Sequence, residues 1–301
     1  MEVTTLSNSK YAALAAAVET GSLTKAAAQL GYTQSGVSHL IRALEQEVGF
    51  SLLHRHKNGV HLTPEGERLM PYIQQILTAE KDIQCLCEEL RGVSAGHIIV
   101  GTFSSAAIAW MPELTSRFSA LHPGIRLEIR NDTYSPLEEA LLRDQVDCAF
   151  VPAPSREEFL TWPVYRDRLM AVMECTSPLA KKASLTAQEL RNLPYIVPAE
   201  GTNYDAGKLF SSAGVSPAIR FNAGDDYAAL AMVRKGLGFT ILPELLLRDT
   251  RVDGLCAIPL LHSERKICIA VNRNRFLSPA LQSFITFVRE TVPSLGNTVL
   301  L

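Results

Sequence analysis

The chain has 301 residues, of which 47% are hydrophobic and 20% are charged, and its formal net charge is −2. This length provides for about two or three domains, and the mean hydropathy of +0.08 and the lack of any apolar run of ~18 residues exclude a disordered chain and a membrane-spanning one. The first ten residues lack the basic start and apolar segment of a secretory signal, so we expect a cytoplasmic protein with reduced thiols. The six cysteines show no CxxC pair and no zinc spacing. We expect most of them to be small buried residues without a redox or metal role.

The N-terminal segment predicts short helices joined by tight turns. Residues 8–20 carry apolar side chains at helical spacing, and a glycine follows them as a C-terminal cap. A second helix is expected over 25–30, with Ser22 or Thr24 as its N-cap, and Thr33 is a natural N-cap for a third helix. Two helices joined in this way are typical of proteins that place one helix in the DNA major groove.

The third helix has one apolar face and one polar face. Gln34, Ser38 and Arg42 recur every four residues on the polar side, with Ser35 and His39 beside them. Short polar side chains and one arginine can approach base edges closely, although an ordinary solvated helix face has the same pattern. The residues expected to form the buried face are Val37, Leu40, Ile41, Leu44 and Val48.

A basic hairpin follows the third helix, over residues 54–62. Asn58-Gly59 between two short strands is a strong signal for a two-residue turn. Arg55 and Lys57 lie near this turn and suit contact with phosphates or the minor groove. With the hairpin added, the DNA-binding interpretation of the third helix is favoured over a solvated face.

The segment SLTKAAAQLGYTQSGVSHLIRALEQEVGFSLLHR, followed by GVHLTPEG, resembles the winged helix-turn-helix of LysR-type transcriptional regulators. This family usually has proline where Ser35 stands and arginine where His39 stands, and these departures bear on operator sequence and affinity rather than on the fold. The resemblance implies double-stranded promoter or operator DNA as a partner, with RNA polymerase as a further one. The groove-facing residues that it implies are Gln34, Ser35, Ser38, His39 and Arg42.

A long helix is predicted from about residue 64 to 91, with Thr63 as its N-cap and a kink near Pro71. A heptad stripe of this kind favours helix-to-helix association over packing on its own domain. The resemblance implies that this helix pairs two chains in a homodimer or homotetramer, with DNA half-sites about one helical turn apart or a multiple of it. The stripe comprises Leu69, Ile76, Ile83 and Leu90, with Ile73, Glu80 and Cys87 between them.

After a linker at Gly92–Gly96, strand-like runs alternate with helical segments, which predicts an α/β architecture. The resemblance implies an effector domain of two lobes, similar to type II periplasmic binding proteins. The expected strands are 97–101, 126–130, 148–151, 169–174, 195–197, 240–242 and 266–271, and the expected helices are 108–121, 136–143, 205–213, 226–234 and 279–291. The expected domains are 1–65 (winged helix-turn-helix), 66–92 (dimerisation helix) and 93–301 (effector binding), with lobe I at about 96–166 and 268–301 and lobe II at about 167–267.

Ligands in such folds bind beyond the carboxyl ends of the strands, which nominates polar residues directly after them. Each nominated residue could serve as an N-cap instead, and for Asp225 and Asp226 capping is the favoured alternative. No arginine lies on these loops, so they give no support to an anionic effector, and Glu200 points to a neutral or cationic one. The candidate effector-binding residues are Thr102, Ser104, Ser105, Tyr134, Pro198, Glu200, Gly201, Thr202 and Asp226.

Two other classes of protein compete with this interpretation, an enzyme and a cytoplasmic small-molecule-binding protein on the same fold. The sequence shows no nucleophile elbow, phosphate-binding loop or HExxH motif, so we expect no catalytic residues, no cofactor and no metal site. The predicted function is a sequence-specific DNA-binding transcriptional regulator whose activity is modulated by a small-molecule effector bound between two lobes.

Overall fold

The computed structural model describes residues 8–56, 59–90, 96–248, 250 and 253–295, leaving aside the side chains of residues 55, 56, 85, 88–90 and 200–203. Two compact units are present, Met1–Val93 and Ser94–Leu301. No helix in the described ranges is long and apolar enough to cross a membrane.

The first unit is a winged helix-turn-helix, as predicted from the sequence. The N-cap of its second helix is Ser22, whose side chain accepts from the Lys25 amide at 3.4 Å, and Thr33 caps the third helix by accepting from the Gly36 amide at 3.1 Å. The residues at the turn tip, 57 and 58, lie outside the described residues, and Lys57 with them. The elements are α1 (Ser9–Thr20), α2 (Leu23–Leu30), α3 (Gln34–Val48), β1 (Leu53–His56), β2 (Gly59–Leu62) and α4 (Pro64–Leu90).

Helix α3 packs its predicted apolar face into a small core that it shares with α1 and α2. Val37, Ile41 and Leu44 are buried, and Leu40 and Val48 pack against the same cluster. The hairpin is attached to this core through a backbone hydrogen bond of 3.0 Å from the Val60 amide to the Gly21 carbonyl.

Some apolar residues of helix α4 pack in the core of its own unit, and others are exposed. Thr63 caps it by accepting from the Gly66 amide at 3.0 Å, and the helix continues through Pro71. Ile73 is buried in the core of its own unit, where Leu69 packs beside it, so the first part of the predicted seam covers the unit's own core. Five other residues, spaced alternately by four and three, are exposed on α4: Tyr72, Ile76, Ala79, Ile83 and Leu86. We call these five residues the α4 stripe.

The second unit is built on a six-stranded sheet with the order β4-β3-β5-β10-β6-β9 and a separate two-stranded sheet of β7 and β8. The predicted strands at 169–174 and 266–271 are only parts of β6 and β10, which are 16 and 18 residues long. The linker residues 91–95 lie outside the described residues, and Gly96 already belongs to β3. The strands are β3 (Gly96–Thr102), β4 (Ile125–Asn131), β5 (Cys148–Ala153), β6 (Phe159–Glu174), β7 (Pro194–Val197), β8 (Ala218–Asn222), β9 (Thr240–Pro243) and β10 (Leu255–Asn272).

Strands β6 and β10 run antiparallel through both lobes and join them. The first half of β6 pairs with residues 266–272 of β10 in lobe I, and its second half pairs with residues 255–259 in lobe II, with a break in register between Pro259 and Glu264. Buried clusters cover the sheet in both lobes, one centred on Trp110 and Phe284 and another on Tyr195 and Phe239. The helices are α5 (Ser104–Ala109), α6 (Met111–Leu121), α7 (Tyr134–Leu142), α8 (Ala187–Leu190), α9 (Glu200–Ser212), α10 (Asp226–Val233), α11 (Glu244–Arg248) and α12 (Pro279–Leu295).

The cysteines differ from expectation at one place. Cys175 and Cys256, 81 residues apart, form a disulfide, so the expectation of reduced thiols is wrong for this pair. The register of β6 against β10 brings the two cysteines together. It sets Cys256 opposite Met173, and Cys175 is the residue that directly follows the end of β6. Cys148 and Cys268 are buried as expected, and Cys87 is exposed.

Candidate DNA interface and effector cleft

The exposed face of α3 forms the floor of a shallow, open concavity of about 640 Å³. Gln34, Ser35, His39 and Arg42 are exposed there, as the sequence predicts for a face that meets DNA. Their side chains combine hydrogen-bond donors and acceptors with one permanent cation, which is the chemistry needed to contact base edges and phosphates.

Ser38 departs from this arrangement. Although it borders the same concavity, its side chain is buried, with an exposed fraction of 6%, so its predicted place in the exposed row is wrong. Successive fourth residues advance by only ~40° about the axis of an α-helix, so Ser38 lies between the exposed Gln34 and Arg42 in this row, and the four-residue repeat does not account for its burial. Val37 and Ile41, on the apolar face of the same helix, are buried as well.

A carboxylate fixes α3 to the start of the hairpin. The side chain of Glu45 accepts from the backbone amides of Leu52 and Leu53 at 2.7 and 3.2 Å. These amides begin the hairpin, so one α3 side chain satisfies the backbone where the chain leaves the helix and enters the wing. The wing is therefore anchored directly to the helix that carries the exposed polar face.

The wing presents imidazoles on its exposed surface. His54 and His61 lie opposite each other in the β1–β2 register, and both are exposed. Arg55 occupies the next position of β1, but its side chain, like all of Lys57, lies outside the described residues. The phosphate contacts predicted for Arg55 and Lys57 therefore stay predictions.

In the second unit, the two lobes meet at a buried arginine. Arg265 lies on β10 directly opposite Asp167 on β6, at the point where the long strands pass from one lobe to the other. Its Nε and Nη2 atoms donate to Asp167 Oδ2 at 3.0 and 2.7 Å. Asp167 is held in turn by the Leu245 amide, which donates to its Oδ1 at 3.0 Å.

The other end of the guanidinium contacts both lobes. Nη2 donates to Ser105 Oγ of lobe I at 2.8 Å, and Nη1 lies 2.5 Å from Tyr134 Oη of the same lobe. Nη1 also donates to Asp205 Oδ2 of lobe II at 3.0 Å, and Tyr134 Oη donates to the same carboxylate oxygen at 2.7 Å. We call Arg265, Asp167, Asp205, Tyr134 and Ser105 the interlobe cluster; all five are buried.

Burial and charge act together on the titrating groups of this cluster. Burial raises the pKa of Tyr134, and the neighbouring Asp205 carboxylate raises it further although Arg265 opposes both. Burial also raises the pKa of Asp167 against the attraction of Arg265. For Arg265 burial alone would lower the pKa, but Tyr134 and the two carboxylates outweigh it. The guanidinium therefore stays charged, and Tyr134 stays a hydrogen-bond donor.

Arg265 borders two cavities of different size. A narrow one of about 30 Å³ is bordered by Ser104, Ser105, Tyr134 and Asp226, and a wide groove of about 770 Å³ runs along α9. The groove is bordered by Tyr204, Asp205, Lys208, His262, Glu264 and Arg265 among others.

The predicted effector residues come together only in part. Ser104, Ser105, Tyr134 and Asp226 border the narrow cavity. Thr102 is wrong as a cleft residue, because it is fully buried and its hydroxyl lies against the Phe103 carbonyl at 3.4 Å.

Pro198 is buried just after β7 and does not border this cavity. Glu200, Gly201 and Thr202 occupy the start of α9, but their side chains lie outside the described residues.

The two adjacent aspartates before α10 have different roles. Asp225 caps the helix by accepting from the Ala228 amide at 2.8 Å, as predicted. Asp226 is buried and accepts from the Ala199 amide at 3.1 Å, so it connects the start of α10 to the loop that precedes α9.

Sequence reasoning missed Arg265, Asp167 and Asp205. The rule that ligand residues follow strands looks at loops, whereas Arg265 and Asp167 lie inside long strands. A signal was present, because both stand at inward positions of a period-2 pattern and have charged residues on either side. An inward charge in a strand requires a partner.

A winged helix-turn-helix followed by a long helix, together with a separate two-lobed α/β unit that has polar groups between its lobes, defines a ligand-responsive DNA-binding regulator. The model of the LysR substrate binding domain matches residues 91–293, and the model of the bacterial regulatory helix-turn-helix protein, lysR family, matches residues 9–67. The chain belongs to the LysR family of transcriptional regulators.

Relatives and solved structures extend over nearly the whole chain. The probable HTH-type transcriptional regulator LrrA of Synechococcus elongatus is 32% identical over 292 residues, which cover 95% of this chain and 97% of the relative. A full-length OxyR variant from Pseudomonas aeruginosa is similar in fold, with a TM-score of 0.75 at 19% identity, covering 95% of this chain and 97% of the other. Full-length CbnR complexed with its target DNA has a TM-score of 0.65 at 21% identity, covering 95% and 100%.

Proposed function

We propose that this regulator reads its operator with Gln34, Ser35, His39 and Arg42 of α3. The observation that carries the proposal is the exposed polar floor of the concavity on α3, which is backed by a buried apolar face and begins at a capped N-terminus. Ser38 is left out of the reading set because it is buried. Arg55 and Lys57 of the wing are assigned to phosphates, which position the module without reading sequence.

We propose further that two chains associate through the α4 stripe. Its residues are exposed in one chain, with Ile83 49% and Tyr72 64% exposed, and they alternate at the heptad spacing that a partner helix covers. Ile83→Glu is expected to shift the chain toward monomer in light scattering after size exclusion. Gln84→Glu, which adds the same charge at the next exposed position, is the matched control. An unchanged mass for Ile83→Glu would contradict the proposed dimer.

The DNA-binding part is tested by footprinting the DNA directly upstream of the chain's own gene. We expect two protected half-sites spaced by about one helical turn or a multiple of it, because a two-fold dimer presents two α3 helices. Gln34→Ala combined with Arg42→Ala should remove the protection. A single protected site, or protection that survives the double substitution, would contradict the assignment.

For the second unit, we propose that a small-molecule effector binds between the lobes and shifts the population of their arrangements, which alters how the dimer engages DNA. Polar groups from both lobes at Arg265 support this, because a ligand there can change contacts with each lobe at once. Ser104, Ser105, Tyr134 and Asp226 border the proposed site. We also propose as effector-binding residues Pro198, which follows β7, and Glu200, Gly201 and Thr202 at the start of α9.

A further inference from the structure

Asp205 is bound by the protein as a ligand carboxylate would be. Its Oδ2 atom accepts from the Arg265 guanidinium at 3.0 Å and from the Tyr134 hydroxyl at 2.7 Å. A fixed guanidinium and a hydroxyl that converge on one oxygen form an oxyanion site, since both donors are oriented before the anion arrives. The carboxylate that fills it belongs to the chain itself.

The guanidinium and the carboxylate of this site are held by different elements. Asp167 holds Arg265 from behind through two hydrogen bonds, within a paired strand. Asp205 instead lies on α9, next to the wide groove of about 770 Å³, and its carboxylate reaches Arg265 and Tyr134 across the lobes. Lys208, one turn further along α9, borders the same groove and offers a charged neighbour to a displaced Asp205.

Charge also favours an anion over a cation. The cluster holds one arginine and two aspartates, and replacing Asp205 by an external carboxylate keeps this balance within the cluster. A cation would have to take Asp205 away and leave the buried Arg265 with a single carboxylate, at a cost in unpaired buried donors. The strand-end loops carry no arginine and so gave no support to an anionic effector, but Arg265 reaches the cleft from inside β10.

We propose that the effector is a small organic acid whose carboxylate replaces that of Asp205 on Arg265 and Tyr134. Asp205 is then an internal competitor that occupies the site and bridges the lobes until the acid displaces it. This inference rests on the proposed function, because it names the chemical class of the effector in the same cleft.

The test adds an external carboxylate to a variant that lacks the carboxylate of Asp205. Thermal unfolding of full-length Asp205→Ala is measured in sodium acetate and in sodium chloride of equal ionic strength. We expect acetate to stabilise Asp205→Ala in a saturable way, with an affinity at least about tenfold above that for wild type, because a charge-assisted bond to the internal competitor is gone. Glu264→Ala, which removes an exposed acid from the same groove, should respond like wild type.

Two further variants keep the test decisive. Asp205→Ser retains a small polar side chain and serves if Asp205→Ala does not fold. Adding Tyr134→Phe to either variant should weaken acetate binding, because one of the two donors is removed. Equal effects of acetate and chloride on the Asp205 variants, or stabilisation by methylammonium in place of acetate, would overturn the proposal.

DNA binding of the same variants separates this inference from the proposed function. If acetate binds Asp205→Ala and also changes its footprint on DNA, both the carboxylate site and the regulatory role of the cleft are supported. If acetate binds and the footprint is unchanged, the carboxylate site stands and the regulatory role of the cleft fails. If acetate does not bind although wild-type footprints respond to another small molecule, the carboxylate class fails and the regulatory role stands.

Discussion

The Cα atom of Gly66 lies so close to the carbonyl oxygen of Leu52 that an added Cβ would overlap that oxygen. The same carbonyl accepts from the Thr63 amide at 2.9 Å. The first turn of α4 is thereby packed directly against the backbone where the chain enters the wing, and only glycine leaves room for it. This contact is the physical reason for the glycine in the LTPEG segment.

Gly66→Ala is expected to destabilise the first unit by more than about 1 kcal/mol, since the backbone must shift to relieve the overlap. Both tryptophans, Trp110 and Trp162, lie in the second unit. Denaturant unfolding followed by far-UV circular dichroism should therefore show an earlier transition, while tryptophan fluorescence should not change. Glu65→Ala, at the exposed neighbouring position, is the control. If the unfolding transition seen by circular dichroism is unchanged in Gly66→Ala, the backbone around Gly66 accommodates a Cβ atom, which would contradict the prediction.

Tyr134→Phe is expected to flatten the loss of stability at alkaline pH. The pKa of Tyr134 is raised by burial above the ordinary value of ~10, so above about pH 10 the unfolded chain releases a proton that the folded chain keeps. The contribution of this group is full below pH ~10 and falls by about 1.4 kcal/mol per pH unit above it, until the folded pKa is reached. Unfolding free energies of both proteins between about pH 9 and 11 check this. Parallel curves would contradict a raised pKa.

The thiols are expected to differ strongly in reactivity. Burial, reinforced by the charge of Asp147, raises the pKa of Cys148, and burial raises that of Cys268 although Lys266 opposes it. Because alkylation requires the thiolate, iodoacetamide should label the exposed Cys87 in the native protein and leave Cys148 and Cys268 unmodified.

Mass spectrometry of a Cys85→Ser background, before and after urea, gives the measurement. Urea should make Cys148 and Cys268 reactive, while Cys175 and Cys256 should need prior reduction. Labelling of Cys148 in the native protein would contradict its burial, and labelling of Cys175 without reductant would contradict the disulfide.

The parts predictable from sequence are those that local chemistry decides. Thr33 and Ser22 are N-caps because a hydroxyl before a helix satisfies the same free amides wherever it occurs. The register of β6 against β10 is a property of residues far apart in the chain, so neither the Arg265–Asp167 pair nor the Cys175–Cys256 disulfide could follow from spacing.

The same distinction explains the errors at the two sites. A four-residue repeat predicts Ser38 in the exposed row, whereas the structure buries it although Gln34 and Arg42, its neighbours in that row, are exposed. The rule that ligands bind beyond the ends of strands predicts Thr102 in the cleft, whereas Thr102 is fully buried. Asp205 could not be found at all, because it acts through contacts with another lobe.

Fluorescence anisotropy with DNA from upstream of the chain's own gene tests most directly whether the exposed face of α3 reads DNA. Across a salt series, wild type should bind tightly with a steep salt dependence. Arg42→Ala with Gln34→Ala should weaken binding by about 5- to 100-fold or more, the range expected for lost base contacts. Gln46→Ala, exposed on the same helix, should bind like wild type. Equal affinity of the double variant and wild type at every salt concentration would contradict a reading role for this face.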